Sequence, residues 1–182
     1  MGPVASLTVA EFLAWESRQQ NRHEYSNGRV AAATGGTVAH SVIVARLTIA
    51  LSGATEDLVL GGDMTIETAR SARHADVVVT GDPRDRDWNA RSVRYPRAIV
   101  EVMTDASATY DRMEKLDEYL AIPSLLEYVI VDSRKRWAQR LRSSEHGWII
   151  GLPISSGELE FASVGLALAI DHLYRDIAVE RA

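Results

Sequence analysis

The sequence predicts an α/β (α+β) fold: a mixed β-sheet combined with helices, preceded by an N-terminal helix and a β-hairpin. Three observations predict it. A capping box opens the first apolar-periodic segment, an Asn-Gly pair joins two short runs, and after Gly53 the apolar period shortens into repeated β-type runs broken by one helical stretch. With 182 residues and 20.0 kDa, the expectation is a single domain spanning 1–182, with room for one substantial core.

Thr8-Val9-Ala10-Glu11 has the capping-box pattern, and Val9, Phe12 and Leu13 give the helix it opens one apolar face running to about Gln20. Asn27-Gly28 supplies the two positive-φ positions of a tight turn, so His23–Ser26 and Arg29–Thr34 should pair antiparallel. Gly35-Gly36 ends that hairpin. Thr37 caps a second helix in which His40, Val44, Leu47 and Leu51 form one stripe. Ile43, Ala45, Ile49 and Ala50 widen its apolar surface, so the helix is expected to be largely buried. Leu58–Leu60, Met64–Thr68 and Ala75–Thr80 are short β-type runs, with Gly61-Gly62 read as a turn. Gly81–Arg94 is polar and reads as an exposed loop. Ala98–Met103 is a further strand, and Ser107–Ala121 a helix with Met113, Leu116 and Leu120 facing inward. Leu125–Asp132, Arg134–Arg142, Trp148–Leu152 and Glu158–Phe161 continue as a meander, and a short helix closes the chain from Asp171.

Composition removes several classes of function. There are no cysteines, which excludes disulfides, thiolate metal sites and a cysteine nucleophile. No apolar run approaches the roughly 18 residues of a membrane span, and Met1–Ala14 lacks a cationic lead with an apolar core, so the expected address is cytoplasmic. No G-x-S-x-G elbow, Walker lysine or G-x-G-x-x-G is present, and the five histidines show no metal-ligand spacing. Net charge is −5 with a pI near 5.5, so the molecule as a whole is not a general electrostatic trap for nucleic acid. Of its twenty basic residues only Lys115 and Lys135 are lysines, which singles both out.

Two strands carry an anomaly. Asp76 in Ala75-Asp76-Val77-Val78-Val79 and Glu101 in Ala98-Ile99-Val100-Glu101-Val102-Met103 each interrupt an apolar run of the kind buried on both faces. A buried carboxylate must stay neutral or find a cation. Two on neighbouring strands can share a divalent ion, and hard oxygen donors suit Mg²⁺ or Mn²⁺. The bland alternative is that each faces water or an arginine such as Arg73. Lys115, on the helix that follows the Glu101 strand, lies about 40° from Tyr119 on the helical wheel and can reach back toward the sheet. Its bland alternative is a surface pair with Asp111.

In order and spacing, Asp76, Glu101-Val102 and Tyr110-Asp111-x-x-x-Lys115-x-x-x-Tyr119 resemble the Uma-type (Uma-two) restriction-endonuclease family of the P-D…(D/E)-x-K nuclease-like superfamily. Arg22-His23-Glu24-Tyr25, Asn27-Gly28, His40, Pro123-Ser124 and Glu127–Asp132 also fit, so the resemblance spans Thr8 to Asp176. It implies a restriction-endonuclease-like mixed sheet flanked by helices and a metal-dependent endonuclease acting on nucleic acid, DNA first. Asp76 and Glu101 would be metal ligands, with the Val102 carbonyl a third oxygen and Glu24 a further catalytic carboxylate. Lys115 would orient or help deprotonate the attacking water, with Asp111 positioning it. Two positions depart from the superfamily pattern: Ala75 replaces the proline before the first aspartate, and Met103 replaces the strand lysine, whose role passes to Lys115.

Phosphate contacts need cations. Arg134, Arg136, Arg140 and Arg142 fall at even positions of one expected strand, either as a phosphate ladder or as a charged edge that resists pairing. Arg94 and Arg97, in the loop before the Glu101 strand, are the preferred substrate contacts, with His40 either a third or a structural histidine. Trp137, Trp148 and Leu166–Ile170 leave room for a homodimer, in analogy to restriction-like enzymes. Two other functions share the site: a catalytically inactive nuclease fold serving binding or assembly, in which a cation such as Arg73 fills the point between the carboxylates, and a phosphohydrolase for a small ester.

Overall fold

The computed structural model describes residues 7–33, 35–104 and 109–179; for Asp63 and residues 109–114 it describes the backbone alone. The expected hairpin end at Thr34 and the side chains of Tyr110, Asp111 and Met113 lie outside the described residues.

Helix α1 (Val9–Glu16) opens with both halves of the expected capping box, Thr8 and Glu11 satisfying each other's free amides. It ends earlier than its apolar period suggests. The Ser17 hydroxyl bonds back to the Ala14 carbonyl and the Gln19 amide to that of Trp15, closing the last turn. Strands β1 (His23–Ser26) and β2 (Arg29–Ala32) form the hairpin, with Asn27 and Gly28 at φ 47° and 88°. Helix α2 (Val38–Ser52) starts at the Thr37 cap. It is amphipathic rather than largely buried: Ile43, Leu47 and Leu51 face the sheet, while Val38, Ala45 and Ile49 are exposed.

Strands β3 (Leu58–Glu67) and β4 (Ser71–Thr80) form one long antiparallel pair. Gly61-Gly62 is a bulge inside β3, not a turn. Gly62 takes φ 83°, and a Cβ on Gly61 would stand 2.7 Å from Thr48 Oγ1, so the glycines permit both the kink and the close approach of α2. The segment from Gly81 is mostly loop, carrying one 3-10 turn (Pro83–Asp85) and a two-residue strand β5 (Ser92–Val93). Strand β6 (Ala98–Met103), helix α3 (Thr109–Leu120) and strand β7 (Glu127–Asp132) make a parallel crossover. Strands β8 (Ala138–Ser144) and β9 (Gly147–Ile150) continue as a meander. Strands β10 (Glu158–Phe161) and β11 (Leu166–Ala169) leave it to form a separate two-stranded sheet, and α4 (Ile170–Leu173) follows.

The main sheet runs β2-β1-β4-β6-β7-β8-β9, with β3 branching from β4 and β5 pairing in turn with β3. Its centre is buried on both faces: Val77, Val79, Val100, Val129 and Val131 pack beneath α2 and the closing segment, and Val78, Ile99, Tyr128 and Ile130 against Tyr119 and Leu125. Each such side chain contributes about 1.5–3 kcal/mol on leaving water.

The expected arginine ladder does not form. Asp132 accepts the Arg134 backbone amide at 2.9 Å and its guanidinium at 2.8 Å, which turns the chain after β7. Residues 133–137 are therefore connection, and only Arg140 and Arg142 lie on β8. Among the described residues no helix is long and apolar enough to cross a membrane.

Candidate active site

Strand β4 has two partners along one edge. Its start pairs with β1 through Ala72, and its end pairs with β6 from Val77 onward. Between them the ladder forks, and the unpaired backbone of the fork must be satisfied by other groups. At His74 side chains do this: the amide donates to Glu24 Oε1 at 2.9 Å, and the carbonyl accepts from Lys115 Nζ at 3.2 Å and the Tyr119 hydroxyl at 3.4 Å. On the other arm, Asp76 Oδ2 accepts the Val102 amide at 2.6 Å, one step past the last β4–β6 pair. Both carboxylates thus stand in for strand partners, which is why two apolar strands tolerate them.

The fork gathers Glu24 from β1, Asp76 from β4, Glu101 from β6 and Lys115 from α3. Lys115 Nζ lies 2.7 Å from Glu24 Oε1. Burial pushes the Glu24 carboxyl up, but Lys115, the His74 amide and Arg73 together hold it below the usual range. His40, on the first turn of α2, places Nε2 2.9 Å from Asp76 Oδ1. Gly36 makes room for that ring, since a Cβ there would stand 2.3 Å from His40 Nδ1. Arg73 binds Glu118 at 3.0 Å and Glu24 at 3.3 Å, so its guanidinium is drawn toward the hairpin side of the fork.

Glu101 differs from its neighbours. Its Oε1 is sealed from solvent and has no hydrogen-bond partner among the described residues. Burial pushes its pKa up to about 8; Lys115 opposes the rise, the Asp76 and Glu24 charges add to it, and a hydrogen bond from Tyr119 lowers it slightly. Glu24, Asp76, Glu101 and Glu118 meet two permanent cations, Lys115 and Arg73, so an ionised Glu101 leaves the cluster with excess negative charge.

This donor set fits a hard divalent ion: two carboxylates side by side, one with an unengaged buried oxygen, and no soft ligand. Among the described residues no group of three or more His, Asp or Glu side chains is arranged to ligate one ion. Backbone oxygen, water or substrate would therefore complete the shell, the habit of Mg²⁺.

Above the cluster lies a cleft of about 800 Å³, lined at its inner end by Glu24, His40, Asp76, Glu101, Val102 and Lys115. Arg94 and Arg97 do not join this group. They lie at the opposite end of β6 from Glu101 and pair with Glu67 at 2.5 Å and Asp57 at 2.6 Å. Sequence reasoning also passes over His74 and Glu118. His74 Nε2 faces the His23 carbonyl at 3.0 Å and Nδ1 faces Arg22 at 3.1 Å, so the ring is the neutral Nε2–H tautomer that ties the hairpin to β4. The available signal was Arg73-His74, a polar pair two residues before Asp76 in a strand otherwise apolar at its centre.

Residues 9–168 match the model of the Uma2 family, described as "Putative restriction endonuclease". The chain belongs to the Uma2 family. The chain is 35% identical over 182 residues to "Uncharacterized protein slr1290" of Synechocystis sp., covering 97% of this chain and 95% of that protein. A second Synechocystis protein, "Uncharacterized protein sll1609", is 29% identical over 69% of this chain and 75% of its own length. The crystal structure of a "putative nuclease belonging to DUF820" from Anabaena variabilis matches with a TM-score of 0.75 over 92% of this chain and 97% of that one. At 13% identity that likeness is one of fold, and it bears out the nuclease-like mixed sheet for this Uma2 chain.

Proposed function

We propose that this Uma2 chain is a Mg²⁺- or Mn²⁺-dependent endonuclease that hydrolyses phosphodiesters of DNA. The observation that carries this reading is the sealed, unbonded Oε1 of Glu101 beside Asp76 at the bottom of an open cleft. Asp76 and Glu101 would hold the ion, with the Val102 carbonyl as a third oxygen. When bound, the ion supplies an acidified water and neutralises charge on the phosphoryl oxygens. Lys115 brings a fixed positive charge to the same point, where it orients the attacking water and stabilises the transition state's added negative charge. Glu24 holds Lys115 in place, a positioning role set by the 2.7 Å contact. His40 fixes the orientation of Asp76 through its hydrogen bond, as second partners of ligating carboxylates do.

A second reading, a catalytically inactive nuclease fold used for binding or assembly, is favoured by one observation: Asp76 spends both oxygens on protein donors, His40 and the Val102 amide. Isothermal titration with Mn²⁺ separates the two. The wild type should bind saturably, Asp76→Ala and Glu101→Ala should lose binding, and Lys115→Ala should keep binding while losing oligonucleotide hydrolysis. Unchanged affinity in both carboxylate variants overturns the site; no binding by the wild type leaves the assembly reading.

A further inference from the structure

The cleft is longer than the cluster needs. Beyond His40 it follows the flank of α2 from partly buried Val44 to exposed Ala45 and Ile49, about 13 Å along the helix axis. Ala31 and Ala32 of β2 with Ala33 form the facing wall, and Gly61-Gly62 of the β3 bulge closes the far end. This arm is mostly apolar, with Ser41 and Thr48 as its hydroxyls, and its β2 wall and far end are built from alanine and glycine. Ile49, 73% exposed, stands at its mouth. Its inner end is the Glu101 carboxylate, whose Oε1 accepts no hydrogen bond.

The carboxylates of the cluster are recessed, Asp76 being 8% exposed and the Glu101 Oε1 sealed, so a phosphate must descend into the cleft to meet them. A cleft of about 800 Å³ is the size of a small-ligand pocket. A B-form duplex, whose major groove alone is about 12 Å wide, spans the opening rather than entering it. An unpaired strand can bring one phosphate to the floor and lay the adjoining sugar and base along an apolar wall. The surface arginines support the same preference. Arg94, Arg97, Arg134, Arg136 and Arg140 are held by Glu67, Asp57, Asp132, Asp171 and Glu160, so these five do not form an open track for a duplex backbone.

We propose that the arm between α2 and β2 seats an unpaired nucleotide next to the reacting phosphate, so that single-stranded DNA is the preferred substrate. This rests on the nuclease reading above and narrows it to a substrate class.

The test is fluorescence anisotropy of a labelled short single-stranded oligonucleotide and of its blunt duplex, with Ca²⁺ as the divalent ion. Hydrolysis of both in Mn²⁺ is followed alongside. The wild type should bind the single strand at least about tenfold more tightly than the duplex. Ala45→Trp and Ala31→Trp fill the arm from opposite walls, Ala31 sharing the face of its cross-strand partner Glu24, and both positions are exposed, so neither substitution disturbs the core. Each should raise the single-strand Kd about tenfold. Equal or tighter duplex binding, or wild-type affinity in both tryptophan variants, overturns the proposal. Binding as expected without hydrolysis supports the arm and overturns only the nuclease reading. Duplex hydrolysis that neither tryptophan affects overturns the arm and leaves the nuclease reading standing.

Discussion

Lys115 of the helix after β6 reaches Glu24 of the opening hairpin at 2.7 Å, across half the length of the 182-residue sequence. The contact is nearly buried, the two side chains being 15% and 10% exposed. It closes the fork in β4 from below, because the same Glu24 oxygen also accepts the His74 amide. One carboxylate thus fixes a strand edge and a lysine together.

Removing one partner of a buried ion pair leaves the other charge uncompensated. Lys115→Met should therefore cost about 3 kcal/mol in urea denaturation, and Glu24→Gln should be costly too. The double variant should be destabilised by less than the sum of the two singles, since neither charge then remains alone. Strict additivity in the double-mutant cycle would show that the pair is not coupled.

Much of this site is legible from residue type and order. Asp76, Glu101 and Lys115 stand out because each breaks a local rule, two as carboxylates in apolar strands and one as a lysine in an arginine-rich chain. The turn at Asn27-Gly28 and the caps at Thr8 and Thr37 read directly because their chemistry is local. The fork in β4 does not, since it depends on which strands share an edge, and no residue in β4 records that. The roles of His74 and Glu118 follow from the fork and stay hidden with it. The arginine ladder was misplaced for a related reason: Asp132 captures Arg134 and bends the chain before the periodic run begins.

Glu127 offers a control remote from the cleft. Its buried carboxylate accepts the Ala162 amide at 2.9 Å and the Ser163 amide at 2.8 Å, tying the turn between β10 and β11 to β7. Glu127→Ala should cost about 2 kcal/mol by urea denaturation through these lost charge-assisted bonds. Mn²⁺ titration of the folded variant should match the wild type. A lost Mn²⁺ response would show that the change at Glu127 is transmitted along β7, which pairs with β6 beside Glu101.

Gly36→Ala tests the orientation of Asp76 without touching a carboxylate. The new methyl would sit 2.3 Å from His40 Nδ1, so the ring must move and its 2.9 Å bond to Asp76 must lengthen or break. Loss of such a second partner typically lowers metal affinity about 10- to 100-fold. Calorimetric titration with Mn²⁺ should show that loss with little change in melting temperature, because Gly36 is exposed. Wild-type affinity in this variant would mean that His40 does not position Asp76.

Glu101 should write a recognisable signature into stability against pH. Its carboxyl is raised to about 8 in the folded protein from an ordinary value of 4.5, chiefly by burial. Between those limits the folded state holds a proton that the unfolded state has released. Its contribution is therefore complete below about pH 4.5 and is lost as pH rises toward about 8. The slope is at most about 1.4 kcal/mol per pH unit for one group. Glu24, held low, acts in the opposite sense, adding stability above its unfolded pKa that is lost as the solution turns acid. Glu101→Gln keeps the shape and removes the titration. Urea denaturation should find the variant gaining on the wild type steadily from pH 5 to pH 8, with the gap flat above that range. Saturating Mn²⁺ should narrow the gap by stabilising the wild type alone, since only the wild type offers the second carboxylate. Parallel stability curves across that range would show that Glu101 is ionised in the folded protein throughout and that burial does not hold its proton.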